Sequence, residues 1–135
     1  IIPLKRLGDT DVISGVQWLE SALEQRKFIH VVWLAGYCLD FIKQYRLYFE
    51  PGSHHQDIPW TTEAMFNAQR VKYLGKALHR QRVHGQSISN RRRTGKPNVA
   101  YHRHYTKLVA MLVSLNRRYA DKIAIRPAFH CQITR

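Results

Sequence analysis

Residues 99–123 read VAYHRHYTKLVAMLVSLNRRYADKI, and the spacing within them decides the fold class. Tyr101, Tyr105, Leu108, Leu112, Leu115 and Tyr119 recur at steps of four, three, four, three and four. That is one face of an α-helix, since side chains three and four apart stand above one another. The seam predicts a long helix starting near Val99, packed antiparallel on a third helix or on a partner.

Working outward, the same period returns upstream. Val12, Val16, Leu19 and Leu23 mark a first helix behind the candidate caps Asp9, Thr10 and Asp11. Phe28, Val32, Ala35, Leu39, Ile42, Tyr45 and Phe49 predict a second, ended by Pro51-Gly52 and apolar enough on its other side to be covered twice. Ser53 to Trp60 is a loop holding His54 and His55. Thr61 or Thr62 then caps a third helix, with Met65, Ala68, Val71 and Leu74 or Leu78 inward and Arg70, Lys72, Lys76 and Arg80 outward. Gly85 to Asn98 is turn-rich and polar, a basic loop with a possible short strand at Ile88. The expected architecture is mainly α: three or four helices, with an Arg-rich loop between the last two.

Charge divides the chain. It has 135 residues, 44% hydrophobic, with 22 Lys and Arg against 9 Asp and Glu, a formal net charge of +13. The first 63 residues carry 6 basic and 8 acidic side chains, whereas residues 64–135 carry 16 basic ones and only Asp121 in opposition. A solvated surface without a partner ordinarily mixes both signs. The division reads as an N-terminal helical extension over 1–64 that packs on other proteins and a basic portion over 65–135 that faces a polyanion.

Within the basic portion, Arg91, Arg92 and Arg93 precede Thr94-Gly95-Lys96. Guanidinium forks suit phosphate oxygens, and the Thr hydroxyl and Gly backbone add close donors. With Arg80, Arg82, Arg103, Lys107, Arg117 and Arg118 they form the candidate RNA-binding set, with Tyr101 and Tyr105 available for base stacking. Catalytic chemistry finds little support. His102 and His104 are two apart on a helix and point away from each other, so neither a zinc site nor a histidine nuclease with His79, His84 and Cys131 assembles. There is no H-E-x-x-H, no carboxylate pair in the basic half and no G-x-S-x-G. No catalytic residue, metal, cofactor or small-molecule substrate is expected.

Trp18, Trp33 and Trp60 read as core or interface anchors, and Cys38 as a small buried hydrophobe. Phe28 to Ile42, the longest apolar run, is too short for a membrane span and contains Asp40. The opening Ile1-Ile2-Pro3 lacks a Met, which reads as a removed leader or an absent start, and no signal peptide is visible.

The run Gly85-Gln86-Ser87-Ile88-Ser89-Asn90-Arg91-Arg92-Arg93-Thr94-Gly95 resembles bacterial-type small-subunit ribosomal protein eighteen in a mitochondrial form. The resemblance covers residues 65–129. It aligns a helix ending at Arg82, a basic helix from Val99 to about Ile123, and a closing Pro127 and Phe129. It implies a non-catalytic constituent of the mitochondrial small ribosomal subunit in the matrix, with ribosomal RNA held by Arg91, Arg92, Arg93 and Thr94, and by Arg103 and Lys107. Neighbouring ribosomal proteins would then meet the N-terminal helices. The competing expectation is an accessory subunit of a mitochondrial membrane complex, such as an ATP synthase or a respiratory complex, with basic residues on anionic headgroups.

Overall fold

The computed structural model describes residues 9–28, 30–52, 55–80, 82, 99–123 and 128–129, with only the backbone described over 99–102. The fold is mainly helical. In chain order it has α1 (Gly15–Glu24), a 3-10 turn (Val32–Leu34), α2 (Leu39–Gln44), α3 (Asp57–Asn67), α4 (Val99–Arg118) and α5 (Ala120–Ile123). Among the described residues no strand forms beyond one isolated antiparallel bridge, Ile13 to Val71.

The start of α1 corrects the expected caps. Ser14, not Asp9, Thr10 or Asp11, caps the helix through a reciprocal box with Gln17, whose amide reaches back to the Ser14 N–H. Asp9 and Thr10 are spent elsewhere. The Ile13 and Val71 backbones exchange two hydrogen bonds, Thr10 Oγ1 accepts from the Tyr73 N–H at 3.0 Å, and Asp9 accepts from the Gly75 N–H at 2.6 Å. Gly15 then donates to the Ala68 carbonyl. A Cβ there would overlap the Met65 carbonyl, so glycine permits α1 to rest on the backbone of α3.

Residues 28–49 do not form the expected single helix. The β-branched pair Val31-Val32 and Gly36 weaken helix propensity there, and the chain binds in pieces. Phe28 meets Trp18 edge-on at 5.3 Å, and Tyr37 meets Trp60 edge-on at 4.8 Å. The helical remainder, α2, ends with Arg46 at φ 49°, just as α1 ends with Arg26 at φ 53°. Both place an arginine in the left-handed region that usually takes glycine after a helix. Cys38 caps α2 and is exposed, contrary to the buried role expected of it. Trp33 is half exposed and lies 4.6 Å from the His79 ring.

α3 begins four residues earlier than its expected Thr cap. Thr61 and Thr62 sit inside it, buried, their hydroxyls donating to the carbonyls of Asp57 and Ile58. Pro59 falls in the first turn, where a missing N–H costs nothing. The helix stops at Asn67 rather than Arg82. Val71 is engaged with Ile13, and Leu74 and Leu78, expected inward, are exposed. The charge boundary after Glu63 falls within α3.

The leucines of the α4 seam are as expected, Leu108, Leu112 and Leu115 being buried and joining Leu19, Met65, Phe66, Ile123 and Phe129 in the main core, whereas Tyr105 of the same seam is exposed. Leu47, Trp60 and Ala64 make a second, smaller cluster. α3 and α4 do not pack antiparallel. Glu63 meets Arg118, Asn67 meets Tyr119, and the Phe66 carbonyl meets Lys122, so partners advance together along both helices. The Gly85–Asn98 loop, including the possible strand at Ile88, lies outside the described residues.

Candidate functional site

A cleft of about 160 Å³ opens between α3, α4 and the chain that joins α2 to α3. Gln56 at the α3 N-cap, Pro59, Trp60 and Glu63 form one wall. Met111, Ser114, Leu115 and Arg118 of α4 form the other, and Tyr48 and Glu50 close the third side. Each helix contributes positions i, i+3, i+4 and i+7, the spacing of a single helical face.

Two ion pairs hold the walls. Lys107 Nζ lies 2.9 Å from Glu50 Oε1, and Arg118 Nη1 lies 3.0 Å from Glu63 Oε1. Glu63 is fixed further, accepting from the Tyr119 hydroxyl at 3.2 Å while that hydroxyl accepts from Asn67 Nδ2 at 2.7 Å. Burial pushes the Tyr119 phenol above its ordinary value; the Asn67 hydrogen bond opposes this and the Glu63 carboxylate reinforces it. Trp60, 5% exposed, stacks on Phe49 with centroids 5.2 Å apart, while Tyr48 is 76% exposed. The lining charges are two carboxylates and one guanidinium, brought to balance by Lys107.

Behind the cleft, His30 packs edge-on against Phe28 and sets Nδ1 3.1 Å from the Thr61 hydroxyl oxygen. That hydroxyl donates to the Asp57 carbonyl at 2.7 Å, so the His30 nitrogen is the donor in the pair. Burial lowers the imidazole to about 4, with a hydrogen bond to the Ile58 backbone pulling the other way.

Six of the eleven expected RNA-binding residues are described. Arg80 and Arg82 are exposed beyond α3, Arg103 and Arg117 are exposed on α4, and Lys107 and Arg118 are engaged in the two ion pairs. Arg91, Arg92, Arg93, Thr94 and Lys96 lie outside the described residues. His84 and Cys131 lie outside as well, and among the described residues no three His, Cys, Asp or Glu side chains cluster as metal ligands would. No described helix is long and apolar enough to cross a membrane. Of the cleft residues, the sequence marked out Trp60 as a core or interface anchor and Arg118 as a member of the RNA-binding set. The signal that would have found the cleft is the matched i, i+3, i+4, i+7 pattern ending in Glu63 on one helix and Arg118 on the other.

Comparison with known proteins points the same chain elsewhere than the ribosome. A protein of Escherichia coli K12 described as "Uncharacterized glycosyltransferase YibD" is 47% identical over 133 residues, 98% of this chain. The likeness is to a glycosyltransferase. A family model described as the C-terminal domain of glycosyltransferase YibD matches residues 94–135. The chain spans 39% of the length of that relative. No solved structure matches.

These likenesses overturn several expectations. The ribosomal-protein resemblance rested on an eleven-residue basic run that arises readily in a chain of this composition, and it yields to identity sustained along nearly the whole chain. With it go the mitochondrial ribosome, the alternative membrane-complex subunit, the ribosomal RNA and ribosomal-protein partners, and the expectation of a non-enzyme without a small-molecule substrate. The mitochondrial placement falls because the relative is bacterial.

Proposed function

We propose that this chain serves glycosyl transfer, as the portion of a sugar-transferring enzyme corresponding to the C-terminal region of the bacterial relative. The observation that carries the reading is 47% identity spread over 98% of the chain. The family-model match to residues 94–135 agrees with it. The fold suits a supporting role in such an enzyme. Its helices present a charge-balanced cleft walled by aromatic and carboxylate side chains, a composition used to grip hydroxyl-bearing ligands.

The test is an exchange. The matching stretch of the E. coli relative is replaced by these 135 residues, and turnover of a panel of nucleotide sugars is followed against the parent enzyme. Retained turnover is expected. A hybrid that is monodisperse and helical by circular dichroism, yet silent where its parent turns over, would refute the reading.

A further inference from the structure

We propose that the cleft between α3 and α4 binds an uncharged sugar ring, and so takes the accepting sugar rather than the nucleotide-bearing donor. The second half of this statement rests on the glycosyl-transfer reading; the first half rests on the cleft alone.

Charge is the first ground. A sugar nucleotide carries a diphosphate, which needs a surplus of cations or backbone N–H groups around it. This chain has cations in excess, +13 overall, yet its cleft is lined by one guanidinium against two carboxylates. Glu50 and Glu63 each pair with one base, Lys107 and Arg118, and a diphosphate entering the cleft would meet both carboxylates. Those carboxylates instead offer acceptors to hydroxyl groups, as sugar recognition requires.

Size is the second. About 160 Å³ lies below the roughly 300–1,000 Å³ of pockets for drug-sized ligands. It suits one ring, not a nucleotide and sugar together.

The third ground is the aromatic rim of the cleft. Tyr48, exposed at the rim, provides the apolar ring face on which the C–H side of a pyranose rests.

The test is a nitrogen-15 NMR titration of the full 135-residue chain with neutral methyl pyranosides, with UDP and with glucuronate. Neutral pyranosides are expected to move the Trp60 indole and the backbone signals of Ser114 and Glu63 with millimolar affinity, and UDP and glucuronate to leave them still. Tyr48→Ala, a change at an exposed side chain, should weaken neutral-sugar binding about five- to tenfold. The proposal is overturned if UDP or glucuronate moves the cleft signals in preference, if neutral sugars act only elsewhere, or if no titrant moves them. In the hybrid enzyme the two readings separate. Transfer with an acceptor KM unaltered by Tyr48→Ala sinks the cleft assignment alone, and loss of transfer beside intact sugar binding sinks the glycosyl-transfer reading alone.

Discussion

Acidification should loosen this protein through one side chain, His30. Its imidazole is held neutral by burial, lowered from 6.5 to about 4 despite the hydrogen bond to the Ile58 backbone. Between those values the unfolded chain binds a proton that the folded chain refuses. Stability from this group is therefore fully present above about pH 6.5, declines as pH falls, and is spent at about pH 4. At about 1.4 kcal/mol for each unit of displacement, the loss amounts to about 3 kcal/mol, a large share of the 5–15 kcal/mol typical of a domain. Urea unfolding followed by circular dichroism across this range measures it. Other groups contribute a background over the same range, so the informative quantity is the difference from His30→Gln, which keeps a donor for Thr61 but cannot titrate. The variant should show a pH dependence shallower by about 3 kcal/mol over the interval. Parallel profiles for the two proteins would refute the reasoning, as would an imidazole that titrates near 6.5 by proton NMR.

Three further outcomes follow from the packing. Gly15→Ala should cost about 2–4 kcal/mol, because the new methyl group overlaps the Met65 carbonyl and α1 must lift off α3; thermal unfolding reads this directly. Arg26→Gly and Arg46→Gly should each stabilise by about 0.5–1 kcal/mol, since glycine accepts the left-handed backbone that ends α1 and α2; a fall in melting temperature for both would contradict this. Glu63→Gln removes a charge that raises the Tyr119 phenol, so ultraviolet titration should find that phenol ionising at lower pH than in the parent.

The elements that were legible in the sequence are those whose apolar pattern serves a single face. α4 is the clearest: its Leu108, Leu112 and Leu115 seam stands in the core as the spacing demands. Elsewhere long-range partners overrode local pattern. Val71, Leu74 and Leu78 continue the helical period of α3, but Ile13 and Thr10 offer backbone and side-chain partners to residues 71–73, and the helix ends at Asn67. Likewise Asp9 and Thr10 are good caps by type and cap nothing, because backbone N–H groups more than 60 residues away take their oxygens. The cleft was written in two matching helical faces, but their meeting depends on α3 and α4 running in the same direction. Charge misled for a related reason. The excess of cations lies wholly in residues 64–135, yet two of the basic side chains in the candidate set are bound internally to acids of the N-terminal half.

The tie between residues 9–13 and the stretch just past α3 also governs the order in which the molecule can assemble on a ribosome. α1 has no seat until Met65 and Ala68 exist, and its leading segment has no mate until residues 71–75 have emerged. A nascent chain halted before Gly75 therefore holds a helix with an uncovered apolar flank. The interval between synthesis of α1 and emergence of residues 71–75 is a vulnerable one, which closes when Asp9, Thr10 and Ile13 are finally clasped.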